Sequence, residues 1–445
     1  MFLVTLRTAD VCCRCFCASD KPTVLFLRGI KQQVRQINGA REVLQQTLPV
    51  RINKAKCYKV FRKGNIMDFK LTEEQAKIKQ MAADFAKNDL APTILERDEA
   101  GEFPTELFKK FGKTGAYGLP YPKEVGGLGG SYMSYVQAVM EISKVDAAFG
   151  IIYSVDTSLY GGSIMNSSAP IEIKKKFLEP ITYGEKIGSF GLTEPGAGSD
   201  AAGCKTVAVQ DGDEWVINGS KCFNTNGPVA DFTVIYALTD PALGTKGMAA
   251  FVVEKGTPGF TVGRVENKMG IRQAQVSEMH LENVRVPAEQ MIAKPGEGFK
   301  LAMKTLDGGR IGVAAQGLGI AKGAFEAAVA YMKQREQFGK PICKNQYLAF
   351  KMAELATQIQ SAELLLYNAV AAHDEGRYTI QAAMAKLACT DAAMEMTTWA
   401  TQFMGGNGFM KEYHVERMMR DAKITQIYEG TNEIQKLIIS GSLFR

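Results

Sequence analysis

The sequence has few of the residues from which several common kinds of functional site are built. It contains 3 histidines among 445 residues, and its 9 cysteines form no CxxC pair with a matching partner pair. We therefore expect neither a metal site nor a disulfide framework, and the cysteine usage favours a reducing compartment. No run of about 18 uncharged apolar residues occurs, so we expect no membrane-spanning helix. No GxGxxG frame follows a strand pattern, so a dinucleotide fold is not indicated.

The net charge of +6 belongs entirely to the N-terminal part of the chain. Residues 1–66 contain 13 Lys and Arg against 3 Asp and Glu, whereas the remainder contains 40 against 44. The main body is therefore slightly acidic, and the basic balance does not indicate nucleic-acid binding.

Residues 1–66 are interpreted as an N-terminal extension that is not part of the fold. We favour upstream sequence translated from a wrongly placed start codon, because the segment has a single serine, Ser19. The alternative is a mitochondrial transit peptide, since the segment is rich in arginine and poor in acidic residues. The first interpretation places the protein in a bacterial cytoplasm, and the second places it in the mitochondrial matrix.

The region from 67 to 187 has the periodicity of helices. Thr72, followed three positions later by Gln75, is typical of a capped helix start. The apolar residues that then recur at helical spacing are Leu71, Ile78, Met81, Phe85 and Leu90.

The periodicity changes at about residue 188 and again at about residue 292. Between these points, runs of β-branched and aromatic residues predict strands, with a turn at Asn218-Gly219. After them the pattern predicts long helices, one of which ends near Gly376. The chain is thus expected to be an α+β multidomain protein in which a β-domain separates two helical regions.

Two widely separated motifs carry the chemistry. Residues 428–435 place the carboxylate of Glu429 beside a glycine and a threonine, so a ligand can approach the backbone closely there. Alone, such a glutamate is typical of a solvated surface. Together with the Pro- and Gly-containing segment at 190–200, it resembles the paired signatures of the acyl-CoA dehydrogenases, which are flavoenzymes that oxidise the α,β-bond of acyl-CoA thioesters.

This resemblance extends from residue 67 to residue 445 and is strongest to the short-chain, butyryl-CoA type. It implies an N-terminal helical domain at 67–187, a β-barrel-like middle domain at 188–292 and a C-terminal four-helix bundle at 293–445. The reaction of the family removes a proton from Cα of the acyl group and a hydride from Cβ.

The chemistry explains why particular residues matter. Because the α-proton is weakly acidic, the enzyme needs a carboxylate base in a dry site and a polariser for the thioester carbonyl. No side chain accepts a hydride, whereas a flavin does. The resemblance implies that Glu429 is the base, that its backbone N–H polarises the carbonyl, and that burial raises its pKa.

The resemblance also implies which residues contact the ligands. The expected contacts with acyl-CoA are Ser199, Asp307, Arg310, Tyr428 and Gly430, with residues 307–310 at the start of a long helix. Without the family, the same pair of charges reads as a solvated helix N-terminus. The expected contacts with FAD are Phe190, Leu192, Thr193, Gly198, Ser199, Phe223, Thr225, Arg335, Gln337, Phe338, Gln346, Gln402, Gly405, Gly406, Thr431 and Glu433.

One segment departs from the family pattern. Residues 223–226 read Phe-Asn-Thr-Asn, where the family usually has Trp-Ile-Thr-Asn. Phe223 keeps an aromatic face and Thr225 keeps the hydroxyl, so we expect flavin binding to survive. Asn224 replaces an apolar residue, which puts the redox tuning of the flavin by this strand in question.

The family shares FAD between chains, which implies a homotetramer built as a dimer of dimers, and it exchanges electrons with electron-transfer flavoprotein. The expected reaction is the conversion of butyryl-CoA to crotonyl-CoA, or the reverse reduction. The alternatives are a dehydrogenase or enoyl-CoA reductase for branched or aryl-acrylyl CoA, an acyl-CoA oxidase, and a non-catalytic acyl-CoA-binding protein.

Overall fold

The structure is a computed structural model that describes residues 70–444. The extension at 1–66, with both of its interpretations, lies outside this range. Within the range, none of the helices is both long and apolar enough to cross a bilayer. No cluster of three or more His, Cys, Asp and Glu side chains among these residues is arranged to hold a metal ion.

The region before the sheet is helical, as predicted. The capping box at its start is present, because Thr72 Oγ1 accepts from the Gln75 amide at 3.2 Å and Gln75 Oε1 accepts from the Thr72 amide at 2.9 Å. Short π-helical segments follow two of the helices, at Ala86–Leu90 and Val155–Gly161. The α-helices are α1 (Glu73–Phe85), α2 (Ile94–Ala100), α3 (Thr105–Gly112), α4 (Tyr132–Val145), α5 (Ala147–Ser154), α6 (Gly162–Asn166) and α7 (Ile171–Thr182).

Helices α4 and α5 form the buried centre of this region, because most of their residues are inaccessible to solvent. Aromatic side chains tie them to α1 and α3. The ring centroids of Phe111 and Phe149 lie 5.7 Å apart, and those of Phe85 and Phe111 lie 4.8 Å apart. Such tilted and edge-on pairs add packing energy beyond the burial of their area. These helices form a closely packed layer, and the segment that carries Leu159 continues directly from the end of α5.

The middle region is a single sheet that curves around its own core. Its strands follow the order β6-β7-β3-β2-β4-β5-β8, and β1 pairs in parallel with β4. The rings of Trp215 on β3 and Phe251 on β5 lie 5.5 Å apart although two other strands separate β3 from β5 in the sheet. The sheet is therefore barrel-like, as expected. Its strands are β1 (Gly188–Gly191), β2 (Val207–Asp211), β3 (Glu214–Thr225), β4 (Phe232–Leu238), β5 (Met248–Glu254), β6 (Phe260–Val265), β7 (Val276–Pro287) and β8 (Met291–Ala293).

The predicted turn at Asn218-Gly219 is wrong, because β3 runs straight through it. Gly219 marks a register shift between β3 and β7, and a methyl group built on it would lie 2.5 Å from Thr206 Oγ1. The glycine therefore serves a close approach of two backbones within the sheet rather than a chain reversal. The reversal occurs earlier, between the end of β2 at Asp211 and the start of β3 at Glu214.

The C-terminal region is a helical bundle. Its helices are α8 (Gly298–Gln334), α9 (Gln346–Asp374), α10 (Thr379–Met404), α11 (Val415–Thr425) and α12 (Asn432–Leu443), with a small hairpin of β9 (Glu336–Gln337) and β10 (Lys340–Pro341) after α8. Helix α8 packs against both α10 and α4, while α11 and α12 also pack on α10. Gly376, at φ 79°, follows α9 near its predicted end. Helix α8 is thus the long element shared by both helical regions.

Candidate active site

Glu429 lies in a short loop between α11 and α12 with its backbone in the left-handed region, at φ 53°. Gly430 follows at φ 91°. A non-glycine residue in this conformation costs about 1–3 kcal/mol, so its surroundings must hold it there. Gln435 Nε2 donates to the Gly430 carbonyl at 2.8 Å, and Arg310 Nε donates to the Glu429 carbonyl at 3.4 Å. The strained loop thereby aims the Glu429 side chain inward.

The carboxylate of Glu429 is buried although the residue as a whole is partly exposed. Both of its oxygens are inaccessible and have no hydrogen-bond partner among residues 70–444. Burial raises the pKa of this carboxyl to about 8, although the positive charges of Lys386 and Arg310 oppose the rise. An unpaired carboxyl costs stability in a dry site, so its arrangement suits proton exchange with a ligand rather than support of the fold.

Gly309 of α8 makes room for this carboxylate. A methyl group built on Gly309 would overlap Oε2 of Glu429 and would lie 2.7 Å from Cδ2 of Leu159. Glycine inside a helix costs about 1 kcal/mol relative to alanine. The close approach of the Glu429 side chain therefore explains why glycine stands at this position in the helix.

The prediction that residues 307–310 begin a long helix is wrong. Helix α8 begins at Gly298, so Asp307 and Arg310 lie in its third and fourth turns. Arg310 is buried, Asp307 is partly buried, and the two side chains form an ion pair, while Thr379 Oγ1 donates to Asp307 at 2.6 Å. They are therefore not a solvated helix N-terminus either. Their contact with CoA stays a prediction.

The loop at 190–200 is built on a buried ion pair that the sequence did not reveal. The carboxylate of Glu194 accepts from Lys221 Nζ at 2.7 Å and from Thr206 Oγ1 at 2.6 Å. Burial alone would raise the pKa of Glu194, but the charge of Lys221 and the hydrogen bonds hold it at about 2. Lys221 also donates to the Leu192 carbonyl at 3.2 Å. The pair thus fixes the backbone of the loop from inside.

The predicted ligand residues of this loop differ in what they present to a ligand. The side chain of Leu192 is buried in the core, so only its backbone can face a ligand. Phe190 and Thr193 are partly buried. Gly198 and Ser199 are exposed, and nothing lies within 4 Å of a methyl group built on Gly198. The glycine therefore leaves an open surface at the tip of the loop.

The strand segment at 223–226 projects its aromatic ring outward. Phe223 sits at a register shift of β3 with φ 57°, and 69% of its surface is exposed. Asn224 points inward and donates to the Ser277 carbonyl at 3.0 Å, while its Oδ1 is buried and has no hydrogen-bond partner in the described part of the chain. Thr225 is partly buried. The strand therefore offers a bare aromatic face, with a polar residue behind it where the family has an apolar one.

Six of the residues expected at FAD come together in a cleft of about 460 Å³. Phe338 and Gly339 form the tight turn of the β9–β10 hairpin with φ of 56° and 74°, and the Phe338 ring is 98% exposed. A phenylalanine held in that conformation with its ring in solvent is an outlier that points to a ligand or partner. The six residues are Arg335, Gln337, Phe338, Gln402, Gly405 and Gly406.

The structure does not bring this cleft to Glu429 within one chain. Gly309 lies beside Glu429 and Arg335 lines the cleft at the end of α8, and the helical rise between these two residues is about 39 Å. Thr431 caps α12 by accepting from the Ile434 amide at 3.4 Å, so it lies beside Glu429 rather than at the cleft. Glu433 is on the exposed side of α12, and Gln346 is exposed at the start of α9. The expected FAD residues therefore form two separate groups.

Each group fits part of a flavin dinucleotide. The exposed ring of Phe223 offers a face for a flat aromatic system. At the cleft, Arg335 has a guanidinium fork suited to pyrophosphate oxygens. Methyl groups built on Gly405 and Gly406 would meet nothing within 4 Å, which leaves the backbone open to a ligand.

Family models match almost the whole of the described chain. The N-terminal domain of acyl-CoA dehydrogenase matches residues 72–185, the middle domain 189–284 and the C-terminal domain 296–444. The chain belongs to the acyl-CoA dehydrogenase family. It is accordingly an oxidoreductase, and its cofactor is FAD.

Similar curated proteins and solved structures indicate which members of the family this chain resembles. The short-chain specific acyl-CoA dehydrogenase of Clostridium acetobutylicum is 54% identical over 380 residues, which cover 85% of this chain and 100% of the relative. Butyryl-CoA dehydrogenase from Megasphaera elsdenii superposes with a TM-score of 0.83 at 48% identity, over 85% of this chain and 100% of that one. A chain in the structure of the electron-transferring flavoprotein of Acidaminococcus fermentans gives 0.84 at 50% identity, with the same coverage. FAD-dependent acyl-CoA dehydrogenation is therefore the activity of this fold and sequence.

Proposed function

We propose that the protein interconverts butyryl-CoA and crotonyl-CoA, with Glu429 as the base that removes the α-proton and with electron-transfer flavoprotein as the electron partner. The observation that carries the proposal is the buried, unpaired carboxylate of Glu429 in a strained loop, for which Gly309 leaves the space. The similarity to short-chain enzymes supports the substrate class. The likeness to a chain found with an electron-transferring flavoprotein supports the partner.

The role of Glu429 follows from its surroundings. Burial raises the pKa of its carboxyl, which brings the base closer to the weak acidity of an α-proton. Its backbone N–H would polarise the thioester carbonyl, so one residue would supply both the base and a donor. When bound, the flavin supplies the acceptor for the hydride that leaves Cβ.

We expect a short acyl group because polar side chains fill the region beyond Glu429 along α8. One turn after Gly309, a methyl group built on Gly312 would lie 2.6 Å from the hydroxyl of Tyr135. A further turn on, the buried amide of Gln316 accepts from the hydroxyl of Tyr428 and donates to the Ala147 carbonyl at 2.8 Å. Tyr135 and Gln316 are fully buried and hydrogen-bonded to their neighbours, so a long alkyl chain would have to displace this packed network, which is costly.

We propose that Asp307, Arg310, Tyr428 and Gly430, together with Ser199 on the opposite loop, contact the acyl-CoA. The FAD would be held by two groups of residues. The first belongs to the flavin end and consists of Phe190, Leu192, Thr193, Gly198, Ser199, Phe223, Thr225, Thr431 and Glu433. The second belongs to the cleft and consists of Arg335, Gln337, Phe338, Gln346, Gln402, Gly405 and Gly406.

We further propose a homotetramer, a dimer of dimers in a bacterial cytoplasm. The helical rise of about 39 Å between Gly309 and Arg335 separates the two groups of FAD residues within one chain, which supports sharing of the FAD between subunits. The cleft of one subunit would complete the site of its partner. Mass photometry of the purified protein tests this. A tetramer is expected, and a monomer that still holds FAD would contradict the shared site.

The experiment that tests the proposed substrate is an anaerobic titration of the purified flavoprotein with acyl-CoA thioesters. Butyryl-CoA should bleach the visible flavin absorbance, and octanoyl-CoA should bleach it far more slowly. Bleaching by branched thioesters alone would contradict the short-chain proposal. Rapid reoxidation of the reduced flavin by oxygen would identify an oxidase instead.

A further inference from the structure

Beneath the Glu429 loop lies a buried lysine that the mechanism has not used. Lys386 belongs to α10 and is fully inaccessible to solvent. Its Nζ donates to the Gly430 carbonyl at 3.0 Å and to Asn432 Oδ1 at 2.8 Å. A lysine is almost never fully buried unless its charge has partners. These two oxygens provide them.

We propose that Lys386 is a positioning residue for the reaction, one that holds the Glu429 loop in its strained conformation and places a positive charge beside the base. The proposal rests on the assignment of Glu429 as the base. Lys386 itself would touch neither the substrate nor the cofactor.

The geometry supports the positioning role. Glu429 and Gly430 are consecutive residues at positive φ, outside any helix or strand, and side chains donate to both of their carbonyls. Lys386 and Gln435 both donate to the Gly430 carbonyl, at 3.0 and 2.8 Å. Arg310 donates to the Glu429 carbonyl from α8. Three helices therefore clamp two peptide units, and Lys386 is the clamp from α10.

A hydrogen-bond network next to Lys386 holds the residues on both sides of Glu429 in place. Asn432, the first residue of α12, accepts from Lys386 through Oδ1 and donates through Nδ2 to Asp391 at 2.8 Å. Asp391 also accepts from Gln426 Nε2 at 2.7 Å, on the N-terminal side of Glu429. The loop is thus tied to α10 both before and after Glu429.

The charge of Lys386 also bears on the base. Burial lowers the pKa of Lys386 and raises that of Glu429, and each charge favours the ionised form of the other. The other groups that face this pair are Arg310 from α8, Asp391 on α10, Glu433 on α12, Tyr132 and Tyr135 from α4, and Tyr428.

Two substitutions separate the hydrogen bonds from the charge. Lys386→Met removes both, whereas Lys386→Gln removes the charge and keeps a donor. Both variants should fold, because the Gly430 carbonyl keeps Gln435 as a donor and Asn432 Nδ2 keeps Asp391 and Thr390 as acceptors, at 2.8 and 3.0 Å. Glu429→Gln is the reference for loss of the base.

The measurement is the pH dependence of kcat and KM for butyryl-CoA on the FAD-loaded enzymes, with the thermal midpoint and FAD content recorded in parallel. For Lys386→Met, kcat should fall on the order of 10²-fold, as for a base misplaced by about 1 Å, with KM nearly unchanged. Loss of the positive charge raises the pKa of Glu429, so the acid limb of kcat should move up by about one pH unit in both variants. The fall in kcat should be smaller for Lys386→Gln.

The outcomes distinguish this inference from the proposed function. If Glu429→Gln abolishes turnover while both Lys386 variants keep kcat within twofold and leave the acid limb in place, the inference is wrong and Glu429 remains the base. A lower thermal midpoint with an unmoved acid limb would also overturn it, because a merely structural lysine would give that result. Normal turnover by Glu429→Gln would reject the base assignment itself.

Discussion

Substitution of Gly309 by alanine should inactivate the enzyme without unfolding it. The added methyl group would overlap Oε2 of Glu429, would lie 3.0 Å from its Cδ and would lie 2.7 Å from Leu159 Cδ2. The carboxylate is the far end of a flexible side chain, so it can swing away more readily than α8 can move. Restoring ordinary contact requires a shift of about 1 Å or more, and a displacement of that size at a reacting group costs on the order of 10²-fold in rate.

The same substitution should have little effect on stability. Replacement of glycine by alanine inside a helix favours folding by about 1 kcal/mol, which offsets part of the strain of moving the Glu429 side chain. Gly441 in α12 is the matched control, because a methyl group built on it meets nothing within 4 Å. Gly441→Ala should gain helix stability and keep full activity.

The assay is the anaerobic rate of flavin reduction by butyryl-CoA in a stopped-flow instrument, with FAD content measured for each variant. Gly309→Ala should keep its flavin and reduce it about a hundredfold more slowly than the wild type and Gly441→Ala. A Gly309→Ala enzyme that is reduced at the wild-type rate would refute the spatial relation between α8 and the base.

Three further predictions follow from the charges and the cleft. Lys221→Met should lower stability by about 3–5 kcal/mol because it strands the buried Glu194 carboxylate; the double change with Glu194→Gln should lose less, which chemical denaturation can measure. Arg335→Ala should weaken FAD binding at least tenfold, as followed by fluorescence titration of the apoprotein, while leaving the fold intact by circular dichroism. Because the folded pKa of Glu429 is raised to about 8, its neutral form contributes stability that is fully present below pH 4.5 and is lost as pH rises towards 8. The thermal midpoint of Glu429→Gln should therefore exceed that of the wild type near pH 8 and match it near pH 4. Equal midpoints at both pH values would contradict the raised pKa.

Local signals allowed much of the fold to be predicted. The capping box of Thr72 and Gln75 is a contact between neighbours in sequence, so its residue types suffice to indicate it. The strands β4 and β5 follow from their β-branched and aromatic runs. The Asn218-Gly219 prediction failed because the need for glycine there comes from Thr206 on a neighbouring segment, which no local pattern records.

The sequence predicted only part of the site, because its geometry depends on residues that are far apart in the chain. Glu429 stands in a recognisable motif, but its unpaired burial and the space left by Gly309 depend on residues more than a hundred positions apart. Lys386 was missed, although a lysine inside an apolar, alanine-rich stretch is a signal that could have found it. The resemblance implies that residues 307–310 begin a long helix, whereas α8 begins at Gly298 and runs through the poor helix formers Gly308 and Gly309.

The most direct test of the account compares wild-type and Glu429→Gln enzymes, each loaded with FAD, in an anaerobic titration with butyryl-CoA. Glutamine keeps the size of the side chain and removes the carboxylate that accepts the α-proton. We expect the wild-type flavin to bleach, while the variant keeps an oxidised spectrum and still binds the thioester. Bleaching of the variant at a near-normal rate would contradict the assignment of Glu429 as the base.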